Sequence, residues 1–335
     1  MRSLLVYRVS VSLLYVSLLM SLAPQLASAQ SSPAGADKSP GDVRQEKAEG
    51  EEPTDDDDGK EDKQLKPVAT VDVVRAGLEP AYIAYPFGIS GLDRLIFESN
   101  VVAHFVMHLP DWPVAFVLTP KVLVRMFAED SAPVKSPSYM PRVAAYFWFD
   151  NEVQRSQAAF YGSITLSHHS NGQTQSFFED DGSIRHEGGD FSTNYFEFSL
   201  YTTGLSGRWF GWSALSLQWH PGFNQNPELR GRYGLTRINL ATTLLAQLPW
   251  QGEIALHVSA ILDDFMKTGE GSFMRAIERF PISVRYIIQP PHTDIGLYVG
   301  YFLGHDYYNI YFDRIIHTVQ VGISGSVTPT LSSEP

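Results

Sequence analysis

From about residue 79 onward, apolar and polar side chains alternate with a period near two, in segments of roughly ten residues divided by turn-forming stretches. The pattern predicts strands over 80–87, 101–109, 114–127, 138–149, 156–170, 193–203, 209–220, 232–247, 253–262, 274–288, 294–304 and 312–325. There are twelve, and an even count lets one chain close a barrel with both ends on the same side. The connections fall into two classes. Those at 110–113, 150–155, 204–208, 248–252 and 289–293 are short, while those at 128–137, 171–192, 221–231, 263–273 and 305–311 are longer. Short turns at one rim and long loops at the other predict an all-β fold, a twelve-stranded antiparallel transmembrane β-barrel; a soluble sandwich has no reason to alternate in this way.

Face-by-face alternation is clean in some segments. The last sets Ile315, Val319, Val321 and Ile323 against Arg314, Thr318, Gln320 and Ser324, and the second sets Ala103, Phe105, Met107 and Leu109 against His104 and His108. The third and fourth are apolar on both faces in places, so their inner side is not assigned by pattern. Aromatic residues gather near segment ends, as at Trp112, Tyr146-Phe147-Trp148, Trp209-Phe210 and Trp250, where a membrane-interface girdle is expected.

Composition adds two segments ahead of the barrel. Residues 1–29 carry Arg2 and Arg8, an apolar run over 11–22, and Ala27-Ser28-Ala29, the layout of a cleaved export signal; the run is short for a membrane anchor. Residues 30–78 are expected to form a disordered acidic linker and N-terminal extension. Its part 30–66 has almost no large apolar side chains and sets twelve carboxylates against six basic residues, half of the chain's formal charge of −12. The run Asp55 to Asp58 lacks turn glycines at ligand spacing and reads as solvated charge rather than a calcium loop. The barrel domain is then 79–335. No basic stripe is available to neutralise phosphates, which argues against nucleic acid as a partner. The chain has no cysteine, so the exported fold must close through its own hydrogen bonds.

The chemistry concentrates on one strand. Ala158, Phe160, Gly162, Ile164, Leu166, His168 and Ser170 share a face that is apolar until its last two members. Asn194, Phe196, Phe198 and Leu200 share a face on the next strand, which should pair antiparallel and bring Asn194 to the same end. His168 can then approach Ser170 as general base while Asn194 accepts from the other ring nitrogen, a possible Ser-His-Asn set at the lipid-side rim. His-x-Ser alone is a weak signal that many unrelated strands contain.

His168-His169-Ser170-Asn171-Gly172, followed by Ser192-Thr193-Asn194-Tyr195-Phe196, resembles the active-site signature of the outer-membrane phospholipase A family. The resemblance continues in Asn226-Pro227-Glu228-Leu229, Arg232-Tyr233-Gly234 and Asp306-Tyr307-Tyr308-Asn309, and covers most of 79–325. It implies a serine ester hydrolase of the Gram-negative outer membrane, its site facing the outer leaflet, cleaving sn-1 and sn-2 acyl esters of membrane glycerophospholipids and lysophospholipids. Ser170 is then the nucleophile, His168 the base and Asn194 the orienting residue. The resemblance further implies a Ca2+ cofactor and a homodimer in the active state. The metal positions carried over are Ser131, supplied by the partner; the backbone carbonyl of Gln173; and Asp190, where the family pattern has a serine and a carboxylate is a harder calcium ligand. The family's dimer-interface glutamine has no clear counterpart, Thr119 being the nearest position. A lipid A deacylase also uses His-x-Ser-Asn but needs only about eight strands, and a porin-like channel with an incidental His and Ser is the non-catalytic rival.

Overall fold

The computed structural model describes residues 70–109, 112–131, 133–149, 158–206, 209–247, 251–267 and 271–325. The expected export signal and residues 30–69 of the expected disordered segment lie outside them, whereas its last part, 70–78, begins with a helix. The described chain forms a closed antiparallel barrel of twelve strands, as the pattern predicts. Three strands are each broken once. They are β1 (Ala81–Ser90), β2 (Leu95–Val102 and Phe105–His108), β3 (Val114–Thr119 and Lys121–Phe127), β4 (Ser138–Tyr139 and Arg142–Trp148), β5 (Ala158–Ser170), β6 (Ser192–Ser206), β7 (Trp209–Trp219), β8 (Thr236–Gln247), β9 (Gln251–Ile261), β10 (Ile282–Gln289), β11 (Ile295–His305) and β12 (Ile315–Gly325). β1 pairs with β12 from Ala81↔Gly325 to Ser90↔His317, which leaves no free edge. Among the described residues no helix is long and apolar enough to cross a membrane.

A short helix fills the barrel near the short-turn rim. In α1 (Thr70–Ala76), Val73 and Val74 are buried against Trp148, Tyr161, Tyr201, Trp212 and Leu245, all turned inward. Tyr161 and Tyr201 stack at 4.6 Å, and the Trp212 indole donates to the Tyr161 hydroxyl at 2.8 Å. Gly77 ends the helix where a Cβ would lie 2.7 Å from the Trp212 ring, so the chain can pass only as glycine. The helix explains the third and fourth segments: Ala115 and Val117 line its seat and Ala144 is buried beside them in the fourth, so the inner face is apolar there too. Trp148 also belongs to this interior cluster and not to the interface girdle.

Beyond α1, Glu79 receives Lys121 at 2.7 Å and an ion pair from Arg142, and its backbone carbonyl takes a hydrogen bond from His104 at 2.8 Å. Burial alone raises the Glu79 pKa, but Lys121 and Arg142 outweigh it and hold the carboxyl at about 2.

Expected boundaries move, in two cases for a clear physical reason. The second strand begins at Leu95 rather than 101, because the polar run Glu98-Ser99-Asn100 is buried inside the barrel. There Arg125 Nε donates to Glu98 at 2.7 Å, and Tyr82 and Tyr307 hydroxyls donate at 2.8 Å. The tenth expected strand begins as a helix, α2 (Gly271–Arg279), which Pro281 separates from β10. Phe273, Ile277 and Phe280 recur at helical spacing, a period of 3.6 rather than two. The eighth and twelfth strands start four and three residues later than expected, at Thr236 and Ile315.

Candidate active site

β5 and β6 run side by side over their whole length, from Ala158↔Gly204 to Ser170↔Ser192, with His168 directly opposite Asn194. Phe160, Ile164, Phe198 and Leu200 are exposed on the outer, lipid-facing side, while Tyr161, Ser163, Thr165, Ser199 and Tyr201 are buried inside. Strand parity therefore carries His168, Ser170 and Asn194 to the outer face, at the end nearest the long loops.

His168 Nδ1 and Asn194 Oδ1 lie 2.8 Å apart. The amide orientation follows from its other end, where Nδ2 donates to the Phe223 carbonyl at 3.2 Å. The oxygen must then accept, so Nδ1 carries the imidazole proton and Nε2 is left as the basic nitrogen. Ser170 stands two residues further along the same face, about 7 Å of strand from His168. Ser170 is also paired with Tyr139 of β4, so one outer row runs from Tyr139 through Ser170 to Ser192.

Asn171 closes the loop that follows. It is buried, its Oδ1 accepts from Gln173 N at 3.2 Å and Phe191 N at 3.1 Å, and its Nδ2 donates to the Gly189 carbonyl at 2.8 Å. The two ends of the 171–191 loop are thereby fastened behind Ser170. Gly172 turns the chain with φ +69, in the left-handed region that glycine adopts without penalty. At the far end, Asn226 Nδ2 donates to both the backbone carbonyl of Asp190 at 2.8 Å and its Oδ2 at 3.2 Å.

Gln173 and Asp190 thus stand at the two feet of one loop, beside Ser170 and Ser192, whereas Ser131 is exposed in the separate loop between β3 and β4. Among the described residues no group of three His, Cys, Asp or Glu side chains is placed to hold a metal. A carboxylate and a backbone carbonyl suit a hard cation in kind, yet they fall short of calcium's six to eight oxygens, so waters, substrate or a second chain must supply the rest. Thr119 faces the interior, where it meets His104 Nδ1 at 3.0 Å, and cannot take the place of a residue on an outer interface.

Behind the site lies an inner layer of polar residues beyond the expected Ser-His-Asn set. His169, pointing inward between His168 and Ser170, bonds the Tyr308 carbonyl through Nε2 at 2.9 Å, and Ser138 donates to the same carbonyl. Thr193, behind Asn194, meets His220 Nδ1 at 2.8 Å. Burial, with Arg237 and His169 acting in the same sense, lowers the His220 pKa to about 2 and keeps that ring neutral. The signal was present as parity: every second residue between the proposed reactive groups is polar and inward.

No family model matches the chain, and no characterised protein matches it by sequence. Solved structures do. Outer membrane phospholipase A from Escherichia coli superposes with a TM-score of 0.51 at 13% identity, over 74% of this chain and 90% of that one. An active-site mutant of the same protein at pH 6.1 gives 0.52 at 12% identity, over 76% and 97%. The Salmonella typhi outer membrane phospholipase dimer with bound calcium gives 0.51 at 14% identity, over 74% and 91%. The chain therefore has the barrel fold of the outer membrane phospholipase A structures.

Proposed function

We propose that the protein is a calcium-dependent phospholipase A of the Gram-negative outer membrane, with its site toward the outer leaflet. The observation that carries the reading is the 2.8 Å His168–Asn194 hydrogen bond on the lipid-facing side of β5 and β6, the face that also holds Ser170. A substrate lying in the bilayer can be met only from that face.

In this mechanism Ser170 Oγ attacks the ester carbonyl carbon as His168 Nε2 takes its proton. Collapse breaks the bond to the glycerol oxygen, which leaves with the proton returned by His168, and the acyl group stays on Ser170. Water, deprotonated by the same nitrogen, then releases the fatty acid. Asn194 accepts from Nδ1–H throughout, holding the tautomer without adding the charge that an aspartate brings. The Gln173 carbonyl, Asp190 and the partner subunit's Ser131 would hold calcium, which when bound would supply positive charge for the ester carbonyl oxygen. The homodimer follows from that shared ligand set.

The test is covalent. A long-chain fluorophosphonate, which loses fluoride on attack by an activated serine, should label the folded protein in detergent micelles, and peptide mass mapping should place the adduct on Ser170. His168→Ala should abolish labelling. An adduct at another serine, or labelling indifferent to His168, contradicts the assignment.

A further inference from the structure

In α2 the usual arrangement of an amphipathic helix is reversed. Phe273, Ala276, Ile277 and Phe280 follow one another at the spacing of a single helical stripe, which in a water-soluble protein turns inward. Here Phe273 is 73% exposed and Phe280 46%, whereas Glu278 is fully buried at 0%. The helix leans on the long-loop ends of β9 and β11, with Arg279 donating to the Ile261 carbonyl, so Glu278 and Arg279 are the residues held against the protein.

The exposed stripe continues the lipid-facing surface. On β10 the outward residues are Val284 and Tyr286, and Phe280 keeps the same parity just beyond the start of that strand. On β9 the outward residues Ile254 and Leu256 lead to Leu262, which is 50% exposed immediately past the strand end. Two exposed cations, Lys267 and Arg275, lie on the same connection. An apolar stripe running on from a barrel's lipid belt, with basic residues beside it, has the chemistry of an interfacial helix.

We infer that α2 is a membrane-surface anchor: it lies in the outer interface with Phe273 and Phe280 immersed among acyl chains and Lys267 and Arg275 on lipid phosphates. The inference needs only the barrel fold and holds whether or not the barrel hydrolyses lipid.

The chain has no cysteine, so one introduced thiol is unique. Phe273→Cys carrying an NBD fluorophore, with the protein inserted in vesicles of phosphatidylcholine and phosphatidylglycerol, should emit at shorter wavelength than the same label on Asp181→Cys, an exposed loop position. Lipids with a doxyl group near the ester end should quench label 273 and spare label 181, and replacing phosphatidylglycerol by phosphatidylcholine should weaken the quenching. Ala276→Cys, on the same stripe, should repeat the result should the first variant fail to fold. Emission at 273 and 276 equal to that at 181, with no doxyl quenching, overturns the inference. So does a shift at 273 that disappears as the protein is diluted within the vesicles, since that marks a second copy as the partner.

Discussion

The Asn194 amide is held at both ends, by His168 Nδ1 and the Phe223 carbonyl, and this removes the ambiguity of a lone His-Asn contact. Asn194→Ala should lower kcat about ten- to a hundredfold, corresponding to about 1.4–2.7 kcal/mol, with KM little changed, because it frees the ring without touching the lipid surface. Asn194→Asp should recover most of that loss, and a kinetic comparison of the three proteins decides it; an unaltered kcat in Asn194→Ala contradicts the orienting role. Asp190 belongs to the calcium half of the proposal, so Asp190→Ala should raise the calcium concentration needed for half-maximal activity while leaving fluorophosphonate labelling of Ser170 in place. At this scale the sequence was most informative where strand parity decides direction. His168, Ser170 and Asn194 fall on the outer face through the period of two alone, and the structure places them there. Asn171 was legible only as a motif letter, because its work, fastening Gly189 and Phe191, spans about twenty residues that no local pattern relates.

Among the elements, the loop 171–191 and the segment before β1 carry the clearest tests. Asn171→Ala removes the partners of two backbone N–H groups and a carbonyl, and each group left unsatisfied costs about 1–3 kcal/mol. The barrel itself should survive, so heat-modifiable migration in SDS gels should persist while hydrolysis falls; loss of the barrel as well would show that the loop is part of the folding unit. Glu79 gives a pH-dependent prediction. Its folded pKa of about 2 lies below the unfolded carboxylate value, so its pairing with Lys121 and Arg142 contributes stability that is complete above the unfolded pKa and is lost as pH falls through the carboxylate range toward 2. Glu79→Gln should therefore lower the urea midpoint in detergent at pH 7, and the gap to the native sequence should narrow toward pH 3. A gap that stays constant with pH would contradict the charge argument. Strand count and the two classes of loop were readable because β-periodicity and turn residues are local. The helix α1 was not, because Val73-Val74 gain their meaning only from Trp212 and Tyr161 far along the chain. The helix α2 stands where the pattern predicts the start of a strand because a short apolar run fits both periods.

For the molecule as a whole, the interior decides between a pore and a closed scaffold. α1 and its aromatic seat occupy the short-turn end, the Glu98–Arg125–Asp306 ion pairs lie further along, and a cavity of about 140 Å³ is lined by Arg142, Glu197 and His257. Planar-bilayer recordings should show no steady channel from the native protein, and Val74→Asp, which drives a charge into the aromatic seat, should introduce conductance; open channels in the native protein would favour the porin-like reading. The outer surface is where the function is proposed to lie, and it is tested most directly by the hydrolysis of one defined phosphatidylcholine in mixed micelles by the native protein and by Ser170→Ala, each with calcium and with excess chelator. Fatty acid and lysophospholipid should appear only for the native protein with calcium, with the Ser170→Ala rate lower by at least about a thousandfold. Equal hydrolysis by the two proteins, or none by the native protein with calcium, would contradict the proposal.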